Sequence, residues 1–63
     1  MKLHTYLKRE NLKLGDFALR IGVSHAAVSR YLTGHRRPNW EVLDRIEQAT
    51  AGEVTANDFV RAA

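Results

Sequence analysis

The stretch LGDFALRIGVSHAAVSRY, Leu14 to Tyr31, decides how this chain folds. Phe17, Ala18 and Ile21 recur at helical spacing, which predicts a helix over 14–21 with one apolar stripe. Gly22 follows the last of them, where a helix end needs a left-handed residue that glycine adopts without strain. Val23 is expected to turn inward. Ser24 stands where a hydroxyl caps the free N–H groups of a further helix, predicted over 25–33. That helix buries Val28 and then Tyr31 or Leu32. His25, Ala26, Ser29, Arg30 and Thr33 fall on its other side.

Two short helices joined by so tight a turn are either an ordinary helical hairpin or a helix-turn-helix. Ala18 is small where the two helices would cross, which allows close approach. In a helix-turn-helix the second helix is free to enter the major groove of DNA. Charge favours that arrangement. The formal net charge is +3. Residues 1–16 carry Lys2, Lys8, Arg9 and Lys13 against Glu10 and Asp16. Residues 17–40 carry Arg20, Arg30, Arg36 and Arg37 and no acid. Residues 41–63 carry Arg45 and Arg61 against Glu41, Asp44, Glu47, Glu53 and Asp58. A basic centre and an acidic C-terminal third predict a polyanion against one face, with repulsion turning the other face away. The alternative is a charged surface that meets only solvent.

On the N-terminal side, Leu3, Tyr6 and Leu7 form an i, i+3, i+4 stripe that predicts a helix over 2–10. Lys8 and Arg9 near its end complement the helix dipole, as Asp16 does at the start of the next helix. Asn11 ends the first helix, and Leu12 plugs the gap before the second. His4 and Arg20 read as surface residues. On the C-terminal side, Thr33 to Asn39 make the main loop. Gly34 ends the helix before it. Pro38 stiffens the approach to a helix over 40–50, which Asn39 caps. Val42, Leu43, Ile46 and Ala49 are its inward stripe, and Glu41, Asp44, Arg45, Glu47 and Gln48 face out. Trp40 reads as a lid over the core edge rather than a base-stacking residue. Ala51 and Gly52 close that helix, and Val54 returns to the core. Thr55 with Asp58 resembles a capping box. It opens a short last helix in which Phe59 packs inward, Val60 is exposed and 61–63 fray. The expected fold is all-α, with five helices around Leu3, Leu7, Leu12, Phe17, Ala18, Ile21, Val23, Val28, Leu32, Val42, Leu43, Ile46 and Phe59. No β-hairpin is expected in the last 15 residues.

The chain resembles the Cro/repressor-type (XRE-like) helix-turn-helix regulators. Ala18, Gly22, Val23, Ser24, Val28, Tyr31, Gly34 and Pro38 fall where that family carries its small, turn, cap and core residues. The resemblance covers about residues 3 to 59. It implies a five-helix, lambda-repressor-like DNA-binding domain with the helix-turn-helix over about 14–33 and Ser24–Thr33 as the recognition helix. Two positions depart from the family pattern. Lys13 stands where Ser or Thr commonly caps the second helix, and Leu14 where a glutamine commonly touches a DNA phosphate.

Candidate DNA-contacting residues fall into two groups. His25, Ala26, Ser29 and Arg30 share the exposed side of the recognition helix and are expected at base edges. Arginine has a rigid fork that matches the two acceptors of guanine. His25 lies in the first turn, which points deepest into the groove. Ser29 donates or accepts, and Ala26 offers only a methyl group. Ser24, Thr33, His35, Arg36, Arg37, Asn39 and Lys13 are expected at phosphates. The loop among them lies beside the N–H groups that open the next helix, a natural anion site.

Sixty-three residues make one small domain, 1–63. Such a chain buries only about 60% of its unfolded surface. There is no cysteine, so disulfides, zinc–thiolate sites and thiol nucleophiles are excluded. The hydrophobic fraction, 44%, is that of a folded domain. No apolar run approaches the roughly 20 residues of a membrane span, and no signal-peptide pattern opens the chain. A soluble cytoplasmic protein is expected. No Ser/His/acid set, Gly-rich phosphate loop or metal-ligand spacing appears. His25 and Ser29 mimic a nucleophile pair at i, i+4, but no acid orients the histidine. Neither an enzyme, a cofactor, a metal nor a small-molecule ligand is therefore expected.

The expected function is a transcriptional regulator, a repressor that occupies an operator in double-stranded DNA as a homodimer. The dimer is expected to form in solution or only on the DNA. The surface expected for it is the C-terminal region around Val54 to Val60. Read as a full-length chain, it has no second domain to sense a ligand. Its occupancy would then follow its own concentration, as in the small phage Cro proteins, and a phage or prophage origin is the corresponding expectation. Two alternatives are an antitoxin of the same fold, which would also cover a toxin, and a protein-interaction module that has lost DNA binding.

Overall fold

The computed structural model describes residues 1–59. Four α-helices follow one another: α1 Leu3–Arg9, α2 Leu14–Ile21, α3 His25–Thr33 and α4 Trp40–Ala49. A single 3-10 turn, Ala56–Phe59, comes after them. No strand occurs among the described residues.

The helix ends are made where cap chemistry is encoded. Ser24 Oγ accepts from the Ala27 N–H at 3.1 Å, and Asn39 Oδ1 accepts from the Val42 N–H at 2.9 Å. Gly22 closes α2 at φ 70°. The Val23 N–H donates to the Ala18 carbonyl at 3.0 Å, and the Gly22 N–H to that of Leu19 at 3.4 Å. These bonds satisfy two of the carbonyls that a helix end leaves open. Arg45 supplies a further donor from α4, its Nη1 lying 3.4 Å from the Ile21 carbonyl. Its Nη2 also pairs with Glu41 at 2.9 Å. A side chain expected simply to face outward thus ties α4 to the end of α2.

α2 packs against both α3 and α4, and the core forms between them. Phe17, Ile21, Val28, Ile46 and Val54 are completely sealed from solvent. Each such side chain contributes about 1.5–3 kcal/mol. Tyr6 from α1 meets Phe17 with ring centroids 6.5 Å apart and planes tilted by 59°. Ala18 is buried at the crossing, as its size requires.

The structure corrects several expectations. The fifth helix is one 3-10 turn. The Asp58 N–H donates to the Thr55 carbonyl at 3.0 Å, an i to i+3 bond, and the Asp58 carboxylate accepts from the Thr55 N–H at 2.9 Å. The turn closes on itself instead of opening a longer helix. Val60 and residues 61–63, assigned above to the last helix and a frayed end, lie outside the described residues. Leu12, Val23, Leu32 and Phe59 are half-buried and pack against the core rather than within it. Tyr6, Tyr31 and Val54 are buried, in keeping with the stripe of α1, the choice offered at 31 or 32 and the expected return of Val54 to the core. Of the two residues that share a face with Val28, Tyr31 is buried and Leu32 is half-buried. Val54 is fully buried and so cannot belong to the dimer surface expected around it. Trp40 is 81% exposed and covers nothing. The stripe of Val42, Ile46 and Ala49 sets the rotation of α4, and position 40 falls on the far side.

The segment after α4 is fixed inside the core and at the surface. Thr50, buried after α4, donates from Oγ1 to the Ile46 carbonyl at 2.7 Å and accepts from the Val54 N–H at 3.2 Å. This pins Val54 in the core after the reversal at Ala51 and Gly52. On the surface, Arg9 grips Glu53 with both arms of its fork, one at 2.8 Å. Its Nε bonds Glu10 at 2.9 Å, and the guanidinium lies 5.4 Å from the Tyr6 ring centroid. The bonds to Glu53 and Glu10 raise the Arg9 pKa further, and the same bond from Arg9 holds Glu53 below its usual value. Burial pushes Asp58 up, but hydrogen bonds from Thr55 and the Met1 ammonium outweigh it and leave Asp58 lowered.

Candidate nucleic-acid interface

α3 is held by Val28 and Tyr31, and this fixes what it shows to solvent. His25, Ala26, Arg30 and Thr33 are exposed, and Ser29 is half-buried. The four expected base-contacting residues therefore share one side of one helix. The His25 ring lies over the first turn of α2. A Cβ on Gly15 would come within 3.8 Å of His25 Cδ2.

The loop after α3 is built around one atom. The Arg30 carbonyl accepts from the Gly34 N–H, the His35 N–H at 3.1 Å, the Arg36 N–H at 3.3 Å and the Thr33 hydroxyl at 3.2 Å. Gly34, at φ 80°, allows the reversal. Thr33 Oγ1 also lies 2.7 Å from His35 Nδ1. The Thr33 hydroxyl is thus engaged within the loop. His35, Arg36 and Arg37 follow, all exposed.

The remaining expected phosphate-contacting residues sit at helix starts. Ser24 and Asn39 spend one acceptor each on capping, which leaves the Ser24 hydroxyl hydrogen and the Asn39 amide donors available. Lys13 precedes α2, is exposed and makes no side-chain cap. Thr33, His35, Arg36 and Arg37 line a groove of about 480 Å³. Lys2 and His4 line its other side, joined by Leu3, Tyr31, Leu32, Phe59 and the carboxylate-bearing Asp58. Sequence reasoning left Lys2 and His4 without a role. Nothing in the local pattern brings the start of α1 to the end of α3, because that is a result of packing.

The pairs among the described residues are Met1 with Asp58, Arg9 with Glu10 and Glu53, and Arg45 with Glu41. Arg20, Arg30, Arg36 and Arg37 pair with no acid among the described residues. No cluster of three or more His, Cys, Asp or Glu side chains fit to hold a metal occurs among them either. No helix of the described residues is long and apolar enough to cross a membrane.

Searches of curated proteins and of solved structures gave no match to the chain. The helix-turn-helix family model matches residues 3–55, which span α1 to α4 and the exposed side of α3. The chain belongs to this family of DNA-binding transcription regulators, as a helix-turn-helix protein of the Cro/XRE type.

Proposed function

We propose that the chain is a sequence-specific regulator of transcription, a repressor that occupies an operator in double-stranded DNA. His25, Ala26, Ser29 and Arg30 of α3 read base edges. Ser24, His35, Arg36, Arg37, Asn39 and Lys13 meet phosphates around them, while the Thr33 hydroxyl, also expected there, holds the loop through the Arg30 carbonyl. The observation that supports this most is that Arg30, Arg36 and Arg37, in a stretch without a single acid, pair with no acid among the described residues. Phosphate contacts of this kind supply affinity, and contacts along one helix supply sequence information.

One recognition helix spans only a few base pairs, so the operator is bound by a homodimer. Two copies of α3 about 34 Å apart enter successive major grooves on one side of the duplex. Selection of bound duplexes from a random pool tests the reading. The expected result is an inverted repeat with half-sites about one helical turn apart. A single unrepeated site bound by one protomer would reject the dimer. A pool with no enriched sequence would reject specific reading.

A further inference from the structure

The loop behind α3 carries one side-chain contact beyond its backbone bonds. Thr33 Oγ1 lies 3.2 Å from the Arg30 carbonyl and 2.7 Å from His35 Nδ1. A hydroxyl has a single hydrogen. A threonine on a helix can give it to a carbonyl three or four residues back, and here that carbonyl is Arg30. Oγ1 then faces Nδ1 with lone pairs alone, so the contact at 2.7 Å needs the ring hydrogen on Nδ1. A neutral imidazole has one N–H, which leaves Nε2 as a bare acceptor. His35 is exposed, and its Nε2 bonds no group among the described residues. An acceptor cannot bond a phosphate oxygen. One added proton turns Nε2 into a charged donor and keeps the bond at Nδ1. Ring, hydroxyl and carbonyl then form a chain that donates in one direction. We propose that Thr33 is a positioning residue: it holds the His35 ring so that His35 meets a DNA phosphate as the imidazolium, and binding takes up a proton there. The proposal rests on the DNA-binding reading and gives that binding a pH dependence.

The charged and titratable groups around the ring favour a ligand as the partner of that proton. Arg36 and Arg37 follow His35 in the loop, and Arg30 lies behind it on α3. Lys2 and His4 line the same groove from the start of α1, and Asp58 lines it from the last turn. Asp58 is the one acid among these groups. Its carboxylate already accepts from the Met1 ammonium at 3.2 Å and from the Thr55 N–H at 2.9 Å. The counter-charge to an imidazolium at position 35 therefore comes with the phosphate. His4 and His25 are imidazoles as well, so the experiment separates the three rings.

Affinity for a random-sequence duplex is measured between pH 6 and pH 8 at constant ionic strength, because salt alone changes it. The expected result is binding about tenfold tighter at pH 6 than at pH 8. His35→Gln, which cannot titrate, and Thr33→Val, which releases the ring, are expected to shrink that difference to about threefold or less. Thr33→Ser keeps the hydroxyl and should keep the parent profile. Circular dichroism checks that each variant folds. Nitrogen NMR of the histidine rings in the free parent at pH 8 should find the His35 hydrogen on Nδ1. A hydrogen on Nε2 would overturn the proposal. So would a pH profile left unchanged by His35→Gln or by a folded Thr33→Val, or one flattened by His4→Gln or His25→Gln in their place. Should Thr33→Val unfold, the ring hydrogen and His35→Gln decide alone. Binding that ignores pH overturns the proposal and leaves the DNA reading standing. A chain that binds no duplex at any pH overturns both.

Discussion

Thr50 holds a hydroxyl in the core and uses it twice, as donor to Ile46 and acceptor from Val54. Thr50→Val keeps the shape and removes the acceptor, stranding a buried N–H. The expected loss of stability is about 1–3 kcal/mol. It is read as a lower urea midpoint at unchanged slope, and an unmoved midpoint would show that the bond adds nothing. Gly22 makes a second test at this scale. It adopts φ 70°, and an added Cβ would meet Arg45 Nη1 at 3.3 Å. Gly52 adopts φ 81° with nothing within 4 Å of the same position. Gly22→Ala and Gly52→Ala both bear the left-handed backbone cost of roughly 1–2 kcal/mol. Only the first also displaces Arg45 from Ile21, so it should lower the melting temperature further. Ser24, Gly22 and Asn39 were legible in the sequence because a cap acts within three or four residues. The bond from Arg45 to Ile21 was not, because it depends on which distant segment comes back to α4.

At the scale of elements, α3 and the loop behind it divide the labour of binding. Arg30→Ala should weaken the selected operator by about 1–3 kcal/mol and random duplex little, relaxing the preference at one base pair of each half-site. Arg37→Ala should weaken both DNAs alike and lower the slope of log affinity against log salt by about one for each phosphate it no longer neutralises. A salt titration of both variants on both DNAs separates the two roles. An unchanged operator-to-random ratio in Arg30→Ala would remove α3 from the reading role. The boundaries of α2, α3 and α4 could be read from stripes and caps to within a residue. The last element could not, since the Thr55 and Asp58 pairing signals a turn start and says nothing of how far the turn continues. The exposed side of α3 was likewise legible from periodicity. The groove shared by Lys2, His4 and the arginine loop arises from packing between the start of α1 and the end of α3.

Taken as one body, the molecule joins its N-terminal helix to its C-terminal segment by charge. Glu53 and Asp58 both have lowered pKa values in the folded state. A carboxylate depressed on folding adds stability above its unfolded pKa, and this is lost as the pH falls through its folded value. The urea midpoint should therefore hold from about pH 7 to 5 and decline below about pH 4. Glu53→Gln should lower the midpoint slightly at neutral pH and make the acid decline shallower. The effect is modest because the pair is exposed. An acid limb identical to that of the parent would show that the Arg9 grip does not support the fold.

The loop behind α3 hangs on the carbonyl of residue 30, and its side chain plays no part in that anchor. Every amino acid carries the same carbonyl. On the proposed reading, a lineage descended from this chain can exchange residue 30, together with Ala26, and address a new operator. The arginines behind it would keep their hold on the duplex, and the core would register nothing. Retargeting is then a matter of one or two codons, open to divergence between duplicated genes without a detour through unfolded intermediates.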